Sequence, residues 1–178
     1  IDESFLSLDG FNNFNLNEYG RDMRNKVLQW TGIPTSVGIG PTKTLAKIAN
    51  KIAKKNKMCQ GVFDITNHSR IKDFLASVEV DDVWGVGWKY AKLLKRNGIK
   101  TALDLRDANE TWIRKKMTVQ GLRTVLELRG IPCIELEETV PDKKQIVNSR
   151  SFGMDLGKYQ DVSEAIASYA TRAAEKLR

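Results

Sequence analysis

The sequence opens with two adjacent carboxylates, Asp2 and Glu3, which are the residue type that holds divalent cations in proteins. Neighbouring side chains on an extended strand point to opposite faces, so an exposed acidic pair is the ordinary interpretation. A two-metal phosphoryl-transfer site, however, needs carboxylates for its Mg²⁺ ions and cations for a triphosphate. The pair is a candidate catalytic and metal site if a source of positive charge lies near it.

A lysine-rich helix could supply that charge. Apolar residues recur at helical spacing after Thr42, a potential cap: Leu45, Ile48, Ala49 and Ile52. The remaining positions carry all the lysines of residues 42–57: Lys43, Lys47, Lys51, Lys54, Lys55 and Lys57. Lysine is also the usual residue on a solvated helix face, so composition does not choose between a ligand-binding face and a solubilising one.

A glycine-rich hairpin between two short helices is the sharpest local signal: Val83-Trp84-Gly85-Val86-Gly87-Trp88-Lys89. The pattern is typical of a helix-hairpin-helix, in which a backbone without Cβ atoms lets a DNA phosphate reach the N–H groups that open the next helix. An ordinary turn between helices is the alternative, and the residues that follow, Gly98-Ile99-Lys100-Thr101, favour the hairpin. The candidate DNA-binding residues are Gly85, Val86, Gly87, Lys89 and Lys92.

Such a hairpin binds the duplex backbone without reading sequence, and it carries out no reaction by itself. The formal net charge of +7, from 29 basic and 22 acidic residues, favours an anionic partner such as nucleic acid. We expect valine at Gly85 or Gly87 to weaken duplex binding with little loss of fold, because the new side chain would block the phosphate.

The cysteines and the histidine exclude several kinds of site. Two cysteines and one histidine cannot form a disulfide framework or the usual four-ligand zinc site. Neither Cys59 nor Cys133 has an activating histidine or acid, so we interpret both as structural or incidental. No apolar stretch approaches the roughly 20 residues of a membrane-spanning helix. We therefore expect a cytoplasmic protein, and a start on Ile1 indicates a piece of a longer chain.

The elements that must position these residues begin as an α/β layer. Alternation and apolar spacing predict, in chain order, strand 4–11, helix 16–30, strand 35–40, helix 43–57 and strand 61–65. After residue 69 the pattern changes to short helices: 69–77, 87–97, 101–106, 108–117 and 120–129. A polar linker should follow, then an extended segment and a last amphipathic helix from Ser163 to Arg178. The expected fold class is α+β: a partial α/β sheet with helices, a small all-helical unit and a truncated α/β unit.

Several segments, in this order, resemble the Y-family translesion DNA polymerases: Ile1-Asp2-Glu3-Ser4-Phe5-Leu6, then Ser36-Val37-Gly38-Ile39-Gly40-Pro41-Thr42-Lys43, then Gly85-Val86-Gly87. Segments 80–87, 149–153 and 169–178 are most similar to the branch that supplies the catalytic subunit of a bacterial damage-response polymerase. The resemblance covers essentially the whole chain. It implies the C-terminal part of the palm at 1–66, the thumb at 67–134, a linker at 135–144 and the beginning of the little finger at 145–178.

The resemblance also implies roles for individual residues. Asp2 and Glu3 would be two of the three carboxylates that bind two Mg²⁺ ions, and the third is missing here. Lys54 matches the family lysine that contacts the incoming triphosphate, although Lys55 stands where the family usually has proline. The fingers, which complete the nucleotide site, are missing as well. For these reasons we expect this chain to be inactive by itself.

The implied activity is the addition of deoxynucleotides opposite damaged template bases during the DNA-damage (SOS) response. The implied partners are primer-template DNA, a deoxynucleoside triphosphate, the processed UmuD subunit, RecA and the sliding clamp, with no membrane. Two other functions stay open from the residues alone. One is a non-catalytic module that docks on duplex DNA, and the other is a hairpin-bearing glycosylase or nuclease that would use Asp104 or Asp107.

Overall fold

The computed structural model describes residues 3–11, 13–66, 68–136 and 145–177. The chain divides into two compact units, residues 1–136 and 137–178. The fold is α+β and mostly helical, with one small parallel sheet, so the predicted fold class is confirmed. No helix in the described ranges is long and apolar enough to cross a membrane.

The sheet of the first unit consists of two short parallel strands, β1 (Val37–Ile39) and β2 (Val62–Asp64). Helix α1 (Leu16–Thr31) precedes β1, and helix α2 (Lys43–Lys55) connects the strands. Helix α2 lies directly on the sheet, because a Cβ on Gly38 would overlap the backbone of α2. Both strands and both helices were predicted from the sequence, and the strands are shorter than expected.

The predicted strand 4–11 is wrong. Residues 3–8 have no regular secondary structure, and a turn at residues 9–10 follows them, with the Phe11 N–H donating to Leu8 O at 3.1 Å. A strand forms only where its backbone groups pair with a neighbour. In the part of the chain that is described, β1 pairs with β2 and no strand lies beside residues 4–8.

The helix starts follow local capping. The Asn15 side chain accepts hydrogen bonds from the N–H groups of Asn17 and Glu18, so the cap of α1 is Asn15. Thr42 caps α2 as predicted, with its Oγ1 accepting from Leu45 N at 3.2 Å. Each cap satisfies N–H groups that the helix itself leaves without a partner.

Four helices follow in the first unit: α3 (Ile71–Ser77), α4 (Trp88–Arg96), α5 (Ala102–Arg106) and α6 (Glu110–Leu128). Short 3-10 turns occupy Lys57–Cys59 and Val80–Asp82. The break predicted between residues 117 and 120 is present as a kink at Thr118, where φ is 65° and ψ is −169°. The run of short helices predicted from residue 69 is therefore confirmed.

One apolar core joins the sheet to these helices. It includes Leu45 and Ile48 from α2, Ile65 after β2, and residues of α3 to α6 such as Leu75, Leu94, Leu105, Ile113 and Leu128. The region interpreted as palm and the region interpreted as thumb therefore pack against each other within the first unit. The boundary at residues 66–67 stays a prediction.

The second unit contains one long helix, α7 (Tyr159–Leu177). It begins earlier than the predicted Ser163, and residues 145–152 form no strand. The Asn148 side chain donates from Nδ2 to Tyr169 O at 3.1 Å, which ties this irregular segment to α7. Most of the predicted linker, residues 137–144, lies outside the described residues.

Candidate nucleic-acid interface and metal site

The hairpin is built by burying its apolar residues and exposing its glycines. Val83 and Val86 are buried in the core, and the Val86 N–H donates to Val83 O at 3.0 Å to close the turn. Gly85 and Gly87 lie between and beside them and are exposed. The alternation of apolar residue and glycine therefore turns one backbone face of the hairpin towards solvent.

Gly87 begins α4 and leaves its first N–H groups accessible. It is the N-cap of α4 and has no side chain to accept from these groups, and a Cβ built on it would meet no atom within 4 Å. An anion can reach the start of α4, where the helix dipole also favours negative charge. Lys89 and Lys92 are exposed on the same helix and add positive charge. This geometry suits a DNA phosphate.

Gly85 has a different role. Its φ is +88°, a left-handed conformation that glycine adopts without strain, and a Cβ on it would lie 3.1 Å from Thr124 Oγ1. A valine here would strain the turn and press on α6. The expectation that Gly85→Val leaves the fold nearly unchanged is therefore wrong, whereas the same expectation for Gly87 agrees with the open space around it.

A shallow groove of about 490 Å³ lies beside the hairpin, lined by Asp81, Trp88, Ala91, Lys92, Lys95 and Arg96. Trp88 is 73% exposed, and Lys89 Nζ lies 5.5 Å from the centre of its ring. Lys95 Nζ pairs with Asp81 at 2.8 Å and with Glu79 at 3.1 Å, and hydrogen bonds to these two acids raise the pKa of Lys95. The charge of Lys95 is thus compensated within the protein, and Lys89, Lys92 and Arg96 provide the positive charge of this face.

The acidic pair is only partly described. Asp2 lies outside the described residues, and Glu3 forms an ion pair with Lys47 of α2. The described ranges contain no group of three acidic, histidine or cysteine side chains that could hold a metal ion. The described residues by themselves therefore do not complete a magnesium site, although Glu3 does lie beside the lysine-rich helix.

The segment after Glu3 connects that helix to the hairpin. The Phe5 ring lies 5.2 Å from Lys43 Nζ on α2 and 5.5 Å from the centre of the Trp84 ring in the hairpin. The acidic residue, the basic helix and the hairpin are thus neighbours in the first unit. The contacts of Phe5 could not be predicted from the sequence, because they join residues far apart in the chain and no local pattern indicates them.

Lys54 is exposed on α2, seven positions after Lys47. Residues seven apart lie two turns apart on nearly the same side of a helix, so Lys54 faces the side on which Glu3 pairs with Lys47. Its assignment to a triphosphate stays a prediction.

Asp104 is used as a helix cap. Its Oδ2 accepts from the N–H groups of Lys100 and Thr101, both at 2.9 Å, while Thr101 Oγ1 accepts from Asp104 N at 3.1 Å. The hydrogen bonds from Lys100 and Thr101 lower the pKa of Asp104. Asp107 is exposed and lies 3.8 Å from Arg106 Nη1. The capping box accounts for the position of Asp104 without a catalytic role.

Both cysteines are free, as expected. Burial raises the pKa of the Cys59 thiol, which disfavours the reactive thiolate. Cys133 Sγ donates to Ile131 O at 3.4 Å. The interpretation of Cys59 as structural agrees with its raised pKa.

Comparison with known protein families matches three segments of the chain. The family described as "impB/mucB/samB family" matches residues 1–51, the "IMS family HHH motif" matches residues 68–99, and the "impB/mucB/samB family C-terminal domain" matches residues 143–178. The helix-hairpin-helix motif includes all the candidate DNA-binding residues.

Similar proteins extend along the whole chain. The chain is 50% identical over 180 residues to Protein UmuC of Salmonella typhimurium, and 44% identical over 179 residues to Protein MucB of Escherichia coli. Each match covers 100% of this chain and 43% of the relative, so the chain spans less than half the length of these relatives.

The described fold is similar to solved polymerase structures. DinB from Sulfolobus solfataricus has a TM-score of 0.50 and 30% identity, covering 64% of this chain and 32% of its own. The post-insertion binary complex of Dbh DNA polymerase has a TM-score of 0.53 at 24% identity, covering 93% of this chain and 47% of its own. The second likeness concerns the fold alone.

Proposed function

Since this chain belongs to the impB/mucB/samB family, the Y-family DNA polymerases, we propose that it is a segment of an error-prone translesion polymerase. The whole protein adds deoxynucleotides to a primer opposite damaged template bases in the SOS response. The observation that carries the proposal is spatial: the segment that begins at Glu3 lies between the lysine-rich helix α2 and the hairpin. The acidic side chain of Glu3, the lysines of α2 and the hairpin proposed to bind the duplex are thus adjacent.

The proposed roles follow from chemistry and position. Asp2 and Glu3 are metal ligands, Lys54 binds the triphosphate, and the exposed backbone at Gly87 holds a duplex phosphate. Mg²⁺ held by Asp2, Glu3 and a third carboxylate would supply activation of the attacking hydroxyl and neutralisation of charge on the leaving pyrophosphate. The ion pair with Lys47 places Glu3 beside α2.

The chain by itself should bind duplex DNA without extending a primer. Two carboxylates cannot hold both metal ions and a triphosphate, so the proposal requires a third carboxylate and the fingers from outside this chain. We expect no extension by residues 1–178 at enzyme concentrations where a complete polymerase extends fully. Measurable extension by this chain would contradict the requirement for a third carboxylate.

The partners proposed for the whole protein are primer-template DNA, a deoxynucleoside triphosphate, the processed UmuD subunit, RecA and the sliding clamp. The support for the protein partners is the similarity to UmuC alone. For DNA there is the additional support of the hairpin geometry and the net positive charge of +7.

A chimera tests the proposed function. Residues 1–178 would replace the aligned 180 residues of UmuC from Salmonella typhimurium, with which they are 50% identical. We expect the chimera, supplied with the processed UmuD subunit and RecA, to extend a primer past an abasic site. Duplex binding without any extension, alongside an active unmodified UmuC, would favour the non-catalytic docking module instead.

A further inference from the structure

The side chain of Glu127 is buried, although a carboxylate usually stays in water. Glu127 lies near the end of α6 and is 0% exposed. Burial of a charged group is tolerated only where hydrogen bonds replace its hydration. The polymerase roles proposed above do not use this residue, so its place in the fold needs another explanation.

Hydrogen bonds from two other segments replace that hydration. Glu127 Oε2 accepts from Thr44 N at 2.9 Å, in the first turn of α2. Glu127 Oε1 accepts from Cys133 N at 2.9 Å and from Ile134 N at 3.2 Å. Both carboxyl oxygens are therefore in use, one towards α2 and the other towards the chain that leaves α6.

The backbone of Glu127 makes a further bond to the same end of α2. Thr42 Oγ1 donates to Glu127 O at 2.9 Å and accepts from Leu45 N at 3.2 Å. Thr42 is itself buried. The first turn of α2 is thus fixed to α6 through both the side chain and the main chain of one residue.

The same helix supports the hairpin. Thr124, one turn before Glu127 on α6, lies 3.1 Å from the position that a Cβ on Gly85 would take. Helix α6 therefore contacts the hairpin at Thr124 and the start of α2 at Glu127. Helix α2 in turn carries Lys47, which pairs with Glu3, and Lys54.

We propose that Glu127 is a positioning residue for nucleotide addition: it fixes α2, with Lys47 and Lys54, at a set distance from the hairpin that holds the duplex. This inference rests on the proposed function. A primer end can meet the nucleotide only if the duplex-binding and nucleotide-binding groups keep their spacing, and a shift of about 1 Å can reduce the rate on the order of 100-fold.

The carboxylate chemistry makes the proposal testable with a near-isosteric change. Glutamine has one acceptor oxygen and one NH₂ donor. In Glu127→Gln the NH₂ group must therefore lie against a backbone N–H, either that of Thr44 or those of Cys133 and Ile134, and cannot accept from it. Orienting the amide oxygen towards Cys133 and Ile134 preserves two bonds. The change therefore removes the Thr44 bond selectively.

The first experiment uses the chain itself. Spin labels at Lys55→Cys on α2 and Lys89→Cys on α4, with both native cysteines replaced by serine, report the spacing between α2 and the hairpin. We expect Glu127→Gln to broaden or shift that distance and to speed exchange of the Thr44 amide about tenfold. Glu110→Gln is the matched control, because it removes another carboxylate of α6, one that pairs with the C-cap residue Arg129. An unchanged label distance would overturn the proposal.

The second experiment measures function in the chimera with UmuC. Glu127→Gln should raise the KM for the nucleotide and lower kcat, with kcat/KM falling about tenfold or more, while duplex affinity stays within about twofold. A merely structural role would lower the active fraction and leave KM unchanged, which would contradict the proposal. If the unmutated chimera is inactive the proposed function fails, and the label distances still test Glu127.

A milder pair of variants covers the case in which Glu127→Gln does not fold. Thr42→Ala removes the hydroxyl between Glu127 O and Leu45 N, whereas Thr42→Ser retains it. We expect the alanine variant to show the same changes in label distance and KM as Glu127→Gln, but smaller. The serine variant should have the label distance and KM of the unmutated protein. Equal behaviour of the two variants would overturn the proposal.

Discussion

Gly85 and Gly87 belong to the same hairpin, yet the structure needs glycine at each for a different reason. Gly85 has φ +88° and lies against Thr124, so the fold requires it. Gly87 has φ −76° and ψ 168°, which any residue adopts, and nothing lies near its Cβ position. Gly87 is therefore the position at which phosphate approach can be tested separately from folding.

Valine at these two positions should give opposite results. Gly87→Val should reduce affinity for duplex DNA about tenfold at low salt and leave the melting temperature nearly unchanged, because it covers the start of α4. Gly85→Val should lower the free energy of unfolding by roughly 1–3 kcal/mol through backbone strain. Fluorescence anisotropy and thermal unfolding measure the two effects. Full affinity in a folded Gly87→Val variant would exclude the phosphate contact.

The lysines of α4 should determine the salt dependence of binding. Each phosphate contact that is removed lowers the slope of log affinity against log salt by about 1, so Lys89→Ala and Lys92→Ala should each reduce it by that amount. Lys26→Ala, on the exposed surface of α1, is the matched control and should leave the slope unchanged. Equal slopes in all three variants would show that α4 does not contact the backbone.

At the level of residues, the sequence predicts those functional side chains that belong to a short local motif. The hairpin glycines and the lysines after them follow from a short motif. The pairing of Glu3 with Lys47 and the packing of Phe5 on Trp84 do not, because these contacts depend on tertiary structure. The burial of Glu127 could not be predicted for a further reason. A glutamate on a helix is normally exposed, and no sequence signal distinguishes a buried one.

Among the elements, α5 shows how a five-residue helix is held in place. Thr101 and Asp104 form a capping box, in which each side chain accepts from the other's backbone N–H. Ala102 and Leu105 of the same helix are buried in the core. The cap and this burial together stabilise a helix too short to form alone.

This cap predicts a dependence of stability on pH. Because folding lowers the pKa of Asp104, its ionised carboxylate stabilises the folded chain. The contribution is complete above the ordinary aspartate pKa and is lost as the pH falls through the lower pKa of the folded state. Asp104→Asn should reduce the free energy of unfolding at pH 7 by about 0.5 kcal/mol, a small effect because the group is exposed.

The measurement is chemical denaturation between pH 7 and acid, and the difference between native and Asp104→Asn should shrink towards acid. Asp107→Asn is the control, because Asp107 is the exposed C-cap residue of the same helix and caps it through its backbone N–H rather than through its carboxylate. A difference that is independent of pH would contradict the assignment of the carboxylate as the cap.

Helices were easier to predict than strands for a physical reason. A helix satisfies its own backbone, so apolar spacing and caps locate it, as for α1, α2 and the break at Thr118. A strand needs a partner, and residues 4–11 alternate like a strand but have no neighbour to pair with among the described residues. Helix α7 begins four residues before its predicted start, which is an error of one turn.

At the scale of the first unit, a core among the described residues connects the sheet to the helical part that carries the hairpin. The sequence predicts a change of character near residue 69, yet apolar residues on both sides share that core. Periodicity shows which side of an element is buried and cannot show which element covers it. The distance between the hairpin and α2 is therefore a property of the fold, fixed by contacts such as those of Glu127.

Single-nucleotide incorporation opposite a lesion, measured under single-turnover conditions, tests the polymerase assignment most directly. The chimera that carries residues 1–178 within UmuC would be compared with its Glu3→Gln variant, and Asp22→Asn on the exposed surface of α1 serves as control. We predict that Glu3→Gln lowers the rate on the order of 100-fold or more, with duplex affinity unchanged, and that Asp22→Asn matches the unmutated chimera. Incorporation by Glu3→Gln at the rate of the control would contradict the assignment of this chain to a polymerase active site.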